Sequence, residues 1–435
     1  MYHTKKYGAG RTVHAKPRPA ACPSPALEEV LKSIDVIPNS ANPSPFWDQG
    51  IAARLSAFHA RRDRSGGVEF VEPDDGTGFW SVTSYHSVRA VTRAPETFTS
   101  TQGFSMDDMP ADVLQMLGSI IAMDAPKHQQ YRRLVQVAFS PRAIRRMTDY
   151  VDDLATQIVD RLRDERHFDF VETVGAHLPF QVISDLLDIP QSDRPRLREL
   201  IDLILGVNDG DVSDATTSLN AVVEFFDYTM TLGEQRRRSP GDDITSTLMH
   251  SEVDGKRLSP QEFGSFVILL AAAGNDTTRT GLAWAMHLLS EHPDQKRALA
   301  SRFEDLQANA IEEVLRWSSP VLHMRRTATT DTMLGPHEVR AGDKLVVWYL
   351  AANHDPAVFA EPDRFDIHRA NARDHHAFGA GGPHYCLGAN LARMEMRVVL
   401  GKLLAAFPDL HATAPPDLLR STFVNGVKSM ACTTA

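Results

Sequence analysis

The chain has 435 residues, 42% of them hydrophobic, and 46 Lys and Arg stand against 56 Asp and Glu, a net charge of -10. That apolar content is ample for a buried core, and the acidic balance argues against a nucleic-acid or anionic-membrane surface. Cys22, Cys386 and Cys432 are too few and too scattered for a disulfide framework, which fits a reducing cytoplasm. Met1 to Pro25 carries Lys5, Lys6 and Arg11 but no apolar h-region. The longest apolar run, Phe266 to Ala273, is far short of the ~20 residues that cross a bilayer, so neither a secretory signal nor a membrane anchor is expected.

In chain order, residues 1–40 read as a flexible tail and 41–435 as one body without a linker-like break. Phe46 to Arg62 is a predicted helix. Val68-Glu-Phe-Val-Glu-Pro73 and Phe79-Trp-Ser-Val-Thr83 alternate around Asp74-Asp-Gly-Thr-Gly78 and predict a hairpin. Thr99 to Ile121 is loose and Met-rich, the composition of a mobile lid over an apolar cavity or of a long loop. Asp124 is placed to cap a helix on which His128 and Arg132 share a face at i,i+4, and Ser140-Pro141 opens the next. Amphipathic segments follow to about His250, broken at Pro190, at Asn208 to Asp214 and at Ser239-Pro240. Leu203 to Gly210 has the composition of a lid hinge.

Ser259-Pro-Gln-Glu262 is a capping box with Pro at the first helical position, and the helix it starts meets no stop until Pro293. Midway lies Ala272-Ala-Gly-Asn-Asp-Thr-Thr278, where Asp276 is costly in a core helix unless paired and a Thr hydroxyl can bond back to a carbonyl, so a polar kink is expected. Glu313 and Arg316 stand at i,i+3. Arg325 to Thr329 begins a strand region, Lys344 to Leu350 reads as a buried strand, and Thr422 to Lys428 as a terminal hairpin.

The segment Phe378-Gly-Ala-Gly-Gly-Pro-His-Tyr-Cys-Leu-Gly388 places Cys386 on a tight loop running into an apolar-periodic helix, where unpaired N–H groups favour a thiolate. A buried structural cysteine is the plain alternative. A zinc site fits worse, because no CxxC accompanies Cys386 and His375, His376 and His384 lack paired spacing. The loop resembles the haem-binding loop of the cytochrome P450 family, Phe-Gly-x-Gly-x-His-x-Cys-x-Gly, with one residue more between Phe378 and Cys386 than the commonest spacing. The Asp276-Thr277 kink, Glu313-x-x-Arg316 and Pro362-Asp-Arg-Phe365 occur in that family's order.

The resemblance implies a mainly helical, single-domain fold with small sheets. Haem b would be buried between the helix of Thr277 and the helix after the Cys loop, with Cys386 as axial thiolate and metal ligand. It further implies haem contacts from His128, Arg132, Ala273, Arg326, Phe378, His384 and Gly388, with Arg325 as fallback for Arg326, and Asp276 with Thr277 as the acid–alcohol pair that passes protons to the site of dioxygen reduction. Glu313, Arg316 and Arg364 would form a structural triad. The implied activity is a monooxygenase that uses O2 and electrons from NAD(P)H through an external reductase and ferredoxin, working as a cytoplasmic monomer. Apolar candidates for the pocket, Ala272, Ala273, Val321, Leu322, Phe423 and Val424, point to a lipophilic substrate, and the Asp-Thr-Thr-Arg and Gly-Gly-Pro-His forms resemble bacterial hydroxylases of steroid side chains, methyl-branched lipids and acyclic terpenes. A macrolide-like tailoring hydroxylase, a peroxide-driven peroxygenase and a haem-thiolate sensor are the alternatives.

Overall fold

The computed structural model describes residues 49–72, 78–117, 119–136, 139–175, 177–206, 209–241, 243–253 and 255–434. The expected tail and Cys22 lie outside them, as do most of the turn Asp74 to Gly78 and Val207 and Asn208 of the expected hinge. The described chain is mainly helical with small sheets.

Its axis is the helix Pro260–Glu291, launched as the sequence predicts: the Glu262 N–H donates to Ser259 Oγ at 3.1 Å, and Glu262 Oε2 accepts the Ser259 N–H at 3.0 Å. At 1.5 Å per residue it is about 48 Å long. Phe263, Phe266, Val267, Leu282, Trp284 and Leu288 are buried on its several faces, the pattern of a helix enclosed by core. It packs against the helices His177–Leu186, Ala215–Arg238, Phe303–Ser318 and Ala389–Ala406. Gly281 brings it close to the last of these, where an added Cβ would stand 3.4 Å from the sulfur of Met396. The expected kink is not a break. Helical bonding continues through Gly274 to Thr278, and the Thr277 hydroxyl bonds back to the Ala273 carbonyl at 2.7 Å without opening the ladder.

Beside the helices lies a five-stranded sheet in the order Val68–Val71, Phe79–Val82, Lys344–Trp348, His323–Ala328, Phe98–Thr99. The predicted hairpin forms, with Val68 opposite Val82, and Phe79–Val82 runs parallel to Lys344–Trp348. The first helix runs Ile51–Ser65, past its expected end at Arg62, and stops at Gly66 in the left-handed region (φ 68°), while Phe46 to Asp48 of the expected helix lie outside the described residues. Thr99 to Ile121 is neither all lid nor all loop, since it contains the helix Ala111–Leu117 and a short 3-10 turn at Ser119–Ala122. Asp124 does not cap the helix Lys127–Gln136. Its carboxylate accepts instead from the Thr99 hydroxyl and the Ser100 N–H, which ties the helix entry to the sheet.

The Met-rich stretch is pinned where it crosses the sheet. The Arg325 N–H donates to the Phe104 carbonyl at 2.8 Å, and the Met106 N–H donates to His323 Nε2 at 2.9 Å. Asp108 accepts from Arg325 Nη1 at 2.5 Å and Lys344 Nζ at 2.8 Å. His323 is fully buried, and burial brings its pKa down to about 3, so the ring is neutral and free to accept.

Glu313 and Arg316 pair as predicted, both completely buried, at 2.7 and 2.9 Å. The third member is Arg369, not Arg364. Arg369 Nε stands 3.1 Å from both oxygens of Glu313, whereas Arg364 turns outward, 59% exposed, to Glu361. The reason is the loop between them: it offers its carbonyls inward, and the Arg364 carbonyl accepts from both Arg316 and Arg369.

Candidate haem site

The Cys loop is shaped by three glycines at positive φ, Gly379, Gly381 and Gly382 (90°, 84° and 86°). At Gly382 a Cβ would lie 2.7 Å from the Thr92 carbonyl, so only glycine allows the loop to rest on the backbone of the helix Tyr85–Arg93. The Cys386 N–H donates to the Phe378 carbonyl at 2.9 Å and closes the loop on itself. Three arginines then hold it. Arg93 Nε donates to the Ala380 carbonyl (3.3 Å), Arg132 Nη2 to the Tyr385 carbonyl (2.6 Å), and the Arg393 guanidinium lies over the Phe378 ring at 4.4 Å.

Arg393 is itself fixed by Glu312, which accepts from it at 2.7 and 2.9 Å and from His375 Nε2 at 2.9 Å. His375 Nδ1 accepts the Ala377 N–H, so the ring proton sits on Nε2 and the imidazole is neutral, in line with the burial that lowers its pKa. Burial alone would raise the Glu312 carboxyl, but the bonds from His375 and Arg393 bring it down to about 2. Sequence reasoning missed this bracket. Its signal was the first acid of Ile311-Glu-Glu, Glu312, and an arginine seven residues after Cys386.

Cys386 has accessible surface, unlike the buried Cys432. Burial pushes its thiol up. The Gly388 and Ala389 N–H groups at the start of the helix Ala389–Ala406 act in the opposite direction, as do the charges of Arg132 and Arg393. On the long helix Ala273 is exposed and Thr277, one turn on, is half-buried, although core surrounds most of the helix.

His128, 2% exposed, has no hydrogen-bond partner on either ring nitrogen, and its ring centroid is 4.2 Å from that of His384. His384 Nε2 meets Ser100 Oγ at 3.1 Å. Burial, then Arg326, His128 and Arg132, brings the His384 pKa down to about 2, and burial followed by Arg132 lowers that of His128. Arg326, 3% exposed, makes no ion pair among the described residues. Its Nη1 donates to the Arg325 carbonyl, and burial lowers its pKa. Arg325 is already engaged by Asp108, so of the two adjacent arginines only Arg326 is uncommitted. A buried guanidinium without an acid, beside a buried imidazole with two idle nitrogens, is costly unless an anion completes it. The two propionates of a haem fit that need, and a thiol on the same cluster fits its iron.

The structure thus gathers His128, Arg132, Arg326, His384 and Cys386 into one cluster, with Phe378 and Gly388 in the Cys loop. It sets Asp276 apart from Thr277. Asp276 is buried and its Oδ1 is bound by Arg279, which also donates to Asp202 Oδ1 at 2.8 Å, while Oδ2 has no partner. Burial raises the Asp276 carboxyl, Arg279 lowers it and Asp202 raises it. Of the apolar pocket candidates, Ala272, Ala273, Val321 and Phe423 retain accessible surface, and Phe104 joins them, 5.8 Å from Phe423. Leu322 and Val424 do not. Both are buried, Leu322 among Leu55, Phe58 and Trp348.

A helical body with a thiol on a glycine loop, set beside an uncompensated cationic cradle, defines a haem-thiolate protein. The chain belongs to the cytochrome P450 family, whose sequence profile matches residues 77–302 and 305–429. It is 39% identical over 362 residues to a methyl-branched lipid omega-hydroxylase of Mycobacterium tuberculosis (82% of this chain, 84% of the relative). To a steroid C26-monooxygenase of Rhodococcus jostii it is 36% identical over 390 residues, covering 88% and 78%. The fold is similar to that of a Mycobacterium marinum cytochrome P450, CYP268A2, solved in complex with pseudoionone, with a TM-score of 0.85, 35% identity and coverage of 91% and 98%. The protein is a cytochrome P450 monooxygenase with haem b as its cofactor. No helix among the described residues is long and apolar enough to cross a membrane.

Proposed function

We propose that the protein hydroxylates a lipophilic methyl-branched, isoprenoid or steroid chain at a terminal methyl, with electrons from NAD(P)H through a separate reductase and a ferredoxin. The observation that carries this reading is the apolar pair Phe104 and Phe423, ring centroids 5.8 Å apart, beside Val321, which bridges to the neighbouring Val424. Such a lining selects by shape and burial, at ~25 cal/mol per Å2 of apolar surface, and gives a polar substrate no charged anchor. The lipid and steroid hydroxylases similar to this chain support the same substrate class.

In this reading Cys386 is the thiolate ligand, and its conversion from thiol to thiolate is helped by the Gly388 and Ala389 N–H groups. His128, Arg132, Arg326 and His384 bind the propionates, Phe378 and Gly388 flank the ligand, and the bare Cβ of Ala273 lets the flat cofactor approach the long helix. Haem b supplies the iron at which dioxygen is split, one atom entering a C–H bond and the other leaving as water. Thr277 orients a proton by its hydroxyl, and Asp276 holds the next one in the chain of supply.

The test is to titrate the ferric protein with a sterol, a branched fatty acid, a terpene alcohol and a macrolide, following low-to-high-spin conversion and product with a surrogate ferredoxin and its reductase. Conversion and turnover with one or more of the first three are expected. Turnover of the macrolide alone overturns the lipid reading.

A further inference from the structure

Glu312 and Glu313 are neighbours on the helix Phe303–Ser318, yet they serve different partners. Glu313 closes the ion triad with Arg316 and Arg369. Glu312 holds Arg393 in a two-point bond and takes a third bond from His375. What Arg393 touches beyond Glu312 is the surroundings of Cys386. Its guanidinium lies over the Phe378 ring, meets the Tyr385 phenol, and donates from Nη1 to the Ala389 carbonyl at 3.4 Å. Phe378 carries the carbonyl that takes the Cys386 N–H, Tyr385 directly precedes the cysteine, and Ala389 supplies one of the N–H groups that act on it. His375 supports the same ring, 5.7 Å from that of Phe378. The Arg393 side chain is 28% exposed, so water competes for it, and the buried carboxylate of Glu312 is what keeps it turned inward.

We propose that Glu312 is a positioning residue for the thiolate ligand: by anchoring Arg393 it braces both flanks of the Cys loop and keeps a positive charge beside the sulfur. It thereby sets how firmly the ligand stays on the iron and where the ferric–ferrous potential lies. The inference rests on the reading of Cys386 as the ligand. A cation beside a thiolate holds it in its ionised form, and reduction, which adds an electron at the iron, is favoured by the same charge. Glu312 acts in two opposed ways. Its own negative charge disfavours reduction, while its hold on Arg393 favours it. The guanidinium, not the carboxylate, is the group in contact with the loop, so the hold outweighs the charge. No proton or electron passes through Glu312 in this role.

The experiment follows the haem-loaded protein in urea by two signals, the red-shifted Soret band of the ferrous carbonyl adduct for the ligand and far-UV circular dichroism for the helices. In Glu312→Gln the amide NH2 faces one of the donors that the carboxylate accepted, so the two-point bond breaks in either orientation. In Glu312→Gln and Arg393→Gln, at urea concentrations where each keeps its dichroism, the band is expected to be lost about tenfold faster than in the parent. Spectroelectrochemical midpoints are expected to be more negative than the parent's in both variants, and Glu312→Asp to return part of the way. Arg393 is partly exposed, so its exchange keeps the test open if Glu312→Gln fails to fold. Band and dichroism lost together in both variants, or a midpoint that moves up in Glu312→Gln, overturns the proposal. A red-shifted band that survives Cys386→Ser overturns the ligand assignment instead and is read separately.

Discussion

Among the described residues, Cys386 is the one cysteine that combines accessible surface with helix N–H groups and two nearby arginines. Exchange to Ser is expected to abolish the red-shifted Soret band of the ferrous carbonyl adduct, and a surviving band would refute the ligand assignment. Thr277→Ala is expected to leave haem and substrate binding intact, since the hydroxyl bonds only its own helix, while diverting NAD(P)H to hydrogen peroxide. The check is the ratio of product to NAD(P)H consumed, expected to fall by roughly tenfold or more. The ion triad makes a sharper structural test. Arg369→Ala strips one cation from a carboxylate with no exposure and is expected to cost about 3–5 kcal/mol in chemical denaturation. Arg364→Ala, at an exposed side chain, is expected to change stability by no more than about 1 kcal/mol.

Between elements, Asp108 is an exposed tie that holds the Met-rich stretch to two strands through Arg325 and Lys344. Asp108→Asn is expected to leave the fold intact and to raise protease cleavage between Thr101 and Pro110 severalfold, because it weakens a charge-assisted latch on a segment with little regular structure. The elements themselves were largely legible. The capping box marked the start of the long helix to the residue, and alternation marked the hairpin, because both signals are local. What could not be read were choices made by tertiary geometry. Arg364 and Arg369 lie in one irregular loop, where no periodicity says which side chain turns inward. Asp276 and Arg279 were readable as an i,i+3 pair, but Asp202 enters only through helix packing. Leu322 and Val424 were assigned to the pocket for their apolar side chains, and tertiary packing buries both, Leu322 among Leu55, Phe58 and Trp348.

For the molecule as a whole, acid stability follows from carboxylates bonded in the native state. Glu312 goes from 4.5 to about 2, as does Glu262 through Tyr131, the Ser259 N–H and Lys127 against the opposing effect of burial. A carboxyl whose folded pKa lies below its unfolded value contributes stability that is complete above the unfolded pKa and is lost as the pH falls through the folded one. Stability is therefore expected to decline between about pH 4.5 and pH 2. Glu312→Gln is expected to be less stable than the parent at neutral pH and to lose less over that window, which urea denaturation at several pH values measures.

The last strand, Ala431–Thr433, pairs with His167–Asp169, and the Phe170 N–H donates to the Met430 carbonyl at 2.9 Å. Just before it, Asn425 ties the Trp284 indole and the Ser318 carbonyl together. A ribosome delivers these residues long after the segments they complete. The strand His167–Asp169 and the Trp284 indole must wait for them, and the long helix, which needs its neighbours on every side, waits too. The apolar faces held open in the meantime are the ones that chaperones have to cover.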